Sequence, residues 1–286
     1  MRLQDYDTGE NYRAVVLDSS RITALGSPEE VREIRLEVKQ QAFEFQIGQS
    51  IGVIVPGPHE MGHHHHFRLY SVADTLSRNQ DGFPEVTLCV KRCNYIDEYS
   101  GELYFGIASN YLCDLQPGDT LTINGPFGIP FPVPEDKTAD LLLIGMGTGI
   151  APFRAFIKHL YRDVGNWQGR VRLFYGARSG LELLYMNDEK DDFAQYYDEE
   201  TFQAFKALSP RPSWSDPIAL DDALDDRAEE ILEILTNKNG YIYIAGRLDI
   251  LAVLDKVFCA ISGSAEQWRE IKSGLVKEGR WIELTY

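Results

Sequence analysis

The stretch that most limits the fold of this chain is Asp140-Leu141-Leu142-Leu143-Ile144, which runs into Gly145-Met146-Gly147-Thr148-Gly149-Ile150-Ala151-Pro152-Phe153-Arg154. A continuous apolar run of this length reads as a buried strand of a parallel sheet. Glycines after it permit a tight turn and close backbone approach, and the pattern over 153–161 predicts a helix. A helix opening at such a turn presents free N–H groups and a positive dipole end, which makes the turn a candidate phosphate site. Pro152 fits the first helical turn, where its missing N–H costs nothing. The spacing departs from GxGxxG, because Ile150 and Pro152 stand where a third Gly would fall, and the Lys-Ser/Thr pair of a P-loop is absent. On chemistry alone, a dinucleotide pyrophosphate and a purely structural turn both remain open.

The rest of the chain divides around this element. Val171–Gly176 and Tyr241–Gly246 read as further buried strands, 228–235, 249–261 and 267–277 as helices, and Trp281–Tyr286 as a last strand. Strands alternating with helices indicate a parallel α/β sheet. Residues 13–135 follow a different period. Val31–Val38, Ser50–Val55, Glu85–Lys91 and Asp119–Ile123 are β-branched runs bounded by Gly, Pro or Asp, the pattern of an antiparallel barrel. The proline-rich stretch 126–134 suits a stiff linker. The expected boundaries are therefore 1–135 for an antiparallel β-barrel domain and 136–286 for an α/β parallel-sheet domain.

Charge excludes some partners. The 286 residues carry a net charge of −16, so nucleic acid is disfavoured. Residues 188–200 and 216–233 together hold −13 of it, which leaves the rest of 136–286 at net +6. Two solvated acidic faces are one reading; a spared basic cleft for an anionic ligand is the other. No apolar run is long enough for a membrane span, and the first residues lack a signal-peptide core, so a cytoplasmic protein is expected. Cysteines 89, 93, 113 and 259 form no CxxC pair and no iron–sulfur run. Cys89 and Cys93 would lie about 13 Å apart on one strand face, too far to share a metal. Buried reduced thiols are expected, with no metal site. The run His63–His66 reads as a solvated loop, with a metal or pH-linked role as the alternative. His59 and His159 show no partner pattern.

Several motifs, in order from about residue 46 to the last, resemble plant-type ferredoxin–NADP reductases. They are Gly147–Arg154, Arg68-Leu69-Tyr70-Ser71, Leu88–Arg92, Gly106–Asp119, Leu184-Tyr185 and the terminal aromatic Tyr286. The resemblance implies an FAD-binding barrel followed by an NAD(P)-binding domain, and hydride transfer between NADP(H) and flavin N5. It places Arg68 on the FAD pyrophosphate, Tyr70 flat on the isoalloxazine and Ser71 at N5, with Leu69 beside them. Cys89, Val90, Lys91 and Tyr95 would line the FAD adenosine side, and Lys91 would also reach the nicotinamide nucleotide. Ile107, Ala108 and Ser109, each read by itself as strand or turn, would offer N–H groups and a hydroxyl to the flavin. Thr148 would serve both cofactors. Gly147, Gly149, Pro152, Ala177, Arg178, Gly246 and Arg247 would bind NADP. Ser209 and Arg211 would hold its 2′-phosphate, and Tyr286 would cover the flavin until nicotinamide displaces it. Ser71 and Tyr286 are the catalytic candidates.

The chain departs from that family at three points. Ala245 stands where the relatives carry Cys, Leu284 where they carry Glu, and Pro210 parts Ser209 from Arg211, so NAD(H) stays open beside NADP(H). No counterpart of the tyrosine that packs on adenine is visible in Pro217–Leu220. The implied partner is a separate ferredoxin or flavodoxin, which would need a local basic patch: Lys91, Arg92, Arg154, Lys158 and Arg162 are the candidates. Two other readings are the reductase component of an oxygenase system and a nucleotide-binding flavoprotein subunit with a docking or regulatory role.

Overall fold

The computed structural model describes residues 9–57, 65–214 and 216–286. The chain divides into two compact units between Phe131 and Pro132. The first unit carries β1 (Asn11–Arg21), β2 (Val31–Val38), β3 (Ser50–Pro56), β4 (His65–Ser71), β5 (Ser77–Arg78), β6 (Pro84–Lys91), β7 (Asn94–Ile96), β8 (Leu103–Phe105), α1 (Ile107–Asp114) and β9 (Thr120–Phe127). Seven strands form one antiparallel sheet in the order β4-β3-β9-β1-β2-β6-β5. The sheet meets itself where Val72, one residue past β4, bridges Leu88 of β6 and Ala73 N–H donates to the Thr87 carbonyl at 2.8 Å. Inward residues such as Ile34, Leu36, Val53, Leu88 and Ile123 are fully buried in a single cluster. Each such aliphatic side chain contributes roughly 1.5–3 kcal/mol through burial.

Helix α1 replaces the strand or turn expected at 107–109. Ala108, Leu112 and Cys113, at helical spacing, join the barrel core. The stretch 126–134 is only partly a linker, because Pro126 and Phe127 complete β9. Cys93 lies past the end of β6 and is exposed, whereas Cys89 and Cys113 are buried; all four cysteines are free thiols. His59, His63 and His64 fall outside the described residues, and His65 and His66 open β4. Among the described residues no cluster of three His, Cys, Asp or Glu side chains could hold a metal. No described helix is long and apolar enough to cross a membrane.

In the second unit β10 (Asp140–Met146), α2 (Ile150–Lys158), β11 (Val171–Ala177), β12 (Phe202–Leu208), α3 (Leu220–Asp225), α4 (Ala228–Thr236), β13 (Gly240–Gly246), α5 (Ile250–Ile261), α6 (Ala265–Lys277) and β14 (Trp281–Thr285) follow in turn. The five strands lie in the order β12-β11-β10-β13-β14, every pair parallel. The chain leaves β10 toward β11 and β12, then returns to its other side with β13 and β14. The carboxyl ends of β10 and β13 therefore form a topological switch point, where open α/β sheets bind ligands. Helix α2 starts at Ile150, earlier than its periodicity suggested, and widens past Lys158 into a π-helical turn over His159–Val164. That turn brings His159 Nδ1 to 2.8 Å from Asp163 Oδ2. The acidic stretches are not simply solvated: Glu230 pairs with Arg172 at 2.6 Å and Glu233 with Arg170 at 2.8 Å.

Candidate functional site

In the first unit β4 positions Arg68, Leu69, Tyr70 and Ser71 by pairing with Val53, Gly52, Ile51 and Ser50 of β3. Alternation along the strand turns Arg68 and Tyr70 to one side. Tyr70 packs against the barrel core, and burial pushes its hydroxyl pKa well up, so it stays a neutral flat ring. The exposed Arg68 guanidinium bonds only the Phe67 carbonyl, at 2.9 Å, and has no acidic partner among the described residues. The Ser71 hydroxyl lies 3.4 Å from that of Ser50.

In the same unit, the β7–β8 hairpin exposes Tyr95, Ile96, Leu103 and Phe105, and Tyr95 stacks on Tyr104 at 5.3 Å. The N-terminus of α1 has no side-chain cap and no acid in its first turn. An exposed guanidinium, a helix start without a side-chain cap and exposed flat rings fit the pyrophosphate and ring systems of a flavin dinucleotide. Three expected contacts come out differently. Cys89 and Val90 are buried, so their side chains do not line a surface. The Ser109 hydroxyl is already engaged, donating to the Gly106 carbonyl at 3.2 Å and accepting from Cys93 N–H at 3.1 Å. Ile107 and Ala108 keep the start of α1 as backbone donors.

In the second unit the glycine turn sits at the switch point. Gly147 has φ +54° with open space where a Cβ would be, a conformation that strains any other residue. Gly149 has the opposite constraint: a Cβ there would overlap the Ala245 carbonyl and lie 2.7 Å from Gly246 N. Gly246 itself has φ +144° and closes on Met146. The turn and α2, with Pro152 in its first helical turn, carry no side-chain cap and no early acid. The donor set and the bare backbone fit a nucleotide pyrophosphate.

Two features of this unit escaped sequence reading. Tyr175, fully buried on β11, donates to the Gly147 carbonyl at 3.0 Å and accepts from Leu184 N–H at 3.2 Å. The available signal was a tyrosine in a strand buried throughout, since a buried hydroxyl needs a partner. Trp214 stands 76% exposed, with the Arg211 guanidinium 5.5 Å over its ring.

The remaining candidates fall around the same unit. Thr148 Oγ1 lies 2.6 Å from the Tyr286 hydroxyl. Tyr286 N–H donates to Gly246 and its carbonyl accepts from Leu248, so the terminal residue is tied to the end of β13. Ala177 ends β11 and is buried, while Arg178 and Arg247 are exposed, Arg247 3.4 Å from Asp249. Leu284 pairs with Ala245, and Glu283 accepts from Trp281 Nε1 at 2.5 Å, which commits that carboxylate to β14.

The expected basic patch is largely spent on internal pairs. Lys91 meets Glu29 at 2.7 Å, Arg92 meets Glu30 and Asp114, and Arg154 meets Asp192 at 2.5 Å. Arg162 donates to Gln195 at 2.8 Å. Residues far apart in sequence supply most of these partners, which spacing alone does not reveal.

Residues 21–130 match the family described as oxidoreductase FAD-binding domain, and residues 143–255 match that described as oxidoreductase NAD-binding domain. A ferredoxin–NADP reductase of Thermosynechococcus vestitus is 32% identical over 278 residues, covering 95% of this chain and 72% of its own length. The chloroplastic leaf isozyme 1 of ferredoxin–NADP reductase from Oryza sativa subsp. indica is 30% identical over 282 residues, covering 96% of this chain and 77% of its own. The solved ferredoxin-NADP+ reductase of Plasmodium falciparum superposes with a TM-score of 0.74 at 21% identity, over 99% of this chain and 98% of that one, and has also been solved with 2′P-AMP. At that identity the structural likeness speaks for the fold.

Proposed function

Because this chain belongs to the ferredoxin–NADP reductase family, we propose that it is an FAD-dependent oxidoreductase that moves reducing equivalents between NADP(H) and ferredoxin, or a flavodoxin in its place. The relatives favour neither an oxygenase component nor a regulatory subunit. The observation that carries the reading is the uncapped Gly147–Gly149 turn on the backbone of Ala245 and Gly246. It lies in a chain whose other half matches an FAD-binding family. Residues 1–135 would hold FAD and residues 136–286 the nicotinamide nucleotide.

When bound, the flavin exchanges a hydride with nicotinamide and single electrons with the protein carrier. The protein supplies placement. Arg68 offers its planar fork to the FAD pyrophosphate. Tyr70 gives a flat apolar face, Ser71 a hydroxyl, and the start of α1 its N–H groups. Gly147, Thr148 and Gly149 admit the nucleotide pyrophosphate close to the backbone, with Arg178 and Arg247 just past the carboxyl ends of the parallel strands β11 and β13. Tyr286, anchored on Gly246 and Thr148, is the ring that nicotinamide would replace. Ser209 and Arg211 would take the 2′-phosphate. The free thiols, two of them buried, support a reducing compartment such as the cytoplasm.

The direct test is anaerobic stopped-flow mixing of the purified flavoprotein with NADPH or NADH. Bleaching of the flavin band, faster with NADPH, is expected; a band that neither nucleotide bleaches sinks the reductase reading. Replacing Arg68 by alanine should weaken FAD retention about tenfold, the scale of a lost charge-assisted bond. Flavin fluorescence on dilution reads this, and an unchanged dissociation constant would remove Arg68 from the site.

A further inference from the structure

The loop between β12 and α3 closes on itself through one residue. The Asp216 carboxylate accepts twice from Arg211, from Nε at 2.8 Å and from Nη2 at 3.4 Å. Its backbone carbonyl accepts from the Ser209 hydroxyl at 2.8 Å. A single residue thus occupies both groups proposed above for the 2′-phosphate. Ser209 is buried, so its hydroxyl has little freedom to turn elsewhere, whereas the Arg211 side chain is 65% exposed. Arg178 donates from Nε and Nη2 to the Pro212 carbonyl at 3.3 and 3.1 Å. A cation, its counter-ion and the exposed Trp214 ring therefore share one short loop, and a second guanidinium reaches it from the end of β11.

We infer that Asp216 sets how strongly the nucleotide site prefers a 2′-phosphate over a free 2′-hydroxyl. The inference rests on the nucleotide reading of the preceding section. A phosphate on Arg211 must displace a carboxylate from a two-point pair. It then remains near that carboxylate, because the backbone of residue 216 stays tied to Ser209. Both effects oppose the phosphorylated nucleotide, and neither acts on the unphosphorylated one. A carboxylate can also accept from a ribose 2′-hydroxyl, the contact by which acidic residues favour NAD, while a nearby Arg accommodates the 2′-phosphate of NADP. Selectivity is a difference of affinities, so a residue that burdens one ligand alone moves it directly. Arg211 is largely exposed, and Asp216→Asn keeps the backbone carbonyl that holds Ser209, so the substitution leaves the fold in place.

The test is calorimetric titration of the FAD-loaded wild type and the Asp216→Asn variant with adenosine 2′,5′-bisphosphate and with 5′-AMP. Removing the like charge should raise the ratio of the two affinities about tenfold. The 5′-AMP affinity should stay within about twofold, since that ligand carries no 2′-phosphate to repel and an asparagine side-chain oxygen still accepts from a 2′-hydroxyl. Arg211→Ala should lower the same ratio. An unchanged ratio in Asp216→Asn overturns the inference. A lowered one also does, since Asp216 would then be orienting Arg211 for the phosphate. A wild type that is bleached by NADPH but shows either result loses only this inference. A wild type that binds neither probe and is bleached by neither nucleotide loses the reductase reading, and the inference with it.

Discussion

Substituting alanine for Gly149 should slow NADPH-driven bleaching of the flavin at least about 100-fold, the scale of a reacting group displaced by about 1 Å. The obstacle is tertiary. A Cβ at this position overlaps the Ala245 carbonyl and stands 2.5 Å from the Ala245 carbonyl carbon and 2.7 Å from Gly246 N. These are backbone atoms of β13, which is hydrogen-bonded to β10 on one side and β14 on the other, so they do not yield as a flexible side chain would. Relief must come from the turn, which carries the nucleotide donors away from the end of β13. FAD content and reduction by dithionite should stay at wild-type levels, because the proposed flavin contacts of the first unit are untouched. Gly274→Ala is the control: a Cβ in that helix meets nothing within 4 Å, and it should leave the rate unchanged. Stopped-flow absorbance decides the matter; bleaching of Gly149→Ala within about threefold of wild type, against the 100-fold expected from displacement, would show that the close approach plays no part in nucleotide use.

Asp140→Asn should cost the second unit about 3 kcal/mol at neutral pH, the low end for breaking a buried ion pair, since Arg170 is itself one-third exposed. Asp140 accepts from Arg170 N–H at 2.9 Å, Nε at 3.2 Å and Nη2 at 2.8 Å, and from Asn237 Nδ2 at 3.0 Å. It stands at the start of the central strand and links β10 to the segments before β11 and β13. Burial by itself would raise the carboxyl pKa, but the bonds from Arg170 and Asn237 outweigh it and hold the group below its ordinary value. A carboxylate with a depressed folded pKa stabilises the fold above its unfolded pKa of about 3.9 and loses that contribution as pH falls through the folded value. The gap between wild type and variant should therefore be full at pH 6–7 and narrow below about pH 4. Trp167, Trp214, Trp268 and Trp281 all lie in the second unit, so tryptophan fluorescence during urea unfolding reports on that unit. A gap that stays constant down to pH 3, or a variant as stable as wild type at pH 7, would contradict this assignment.

Much of the fold was legible in the amino-acid order, because hydrophobic period is a local property. The apolar run 140–144, the glycine turn and the returning strand 241–246 specify a parallel sheet whichever residues surround them. The short β-branched runs before 124 specify an antiparallel one. Helix α1 was hidden because the glycine-led segment 106–109 is too short for a period to show before Leu112 and Cys113 complete the apolar face. Strand β12 was hidden because only Phe202 and Ala207 are buried along its length. Motif order singled out Arg68–Ser71, which lie on β4, and Gly147–Pro152, which lie at the turn into α2.

Tertiary structure alone decided the partners. Arg154 became half of a pair with Asp192, Tyr175 became the support of Gly147, and Gly149 met the backbone of Ala245 across nearly a hundred residues of chain. Even Ser209 and Arg211, singled out by motif, are held by Asp216 in a way their spacing does not disclose. The physical reason is the same in each case. Which elements form follows from side chains a few residues apart, whereas the counter-ion, acceptor or backbone that a group meets depends on how those elements pack.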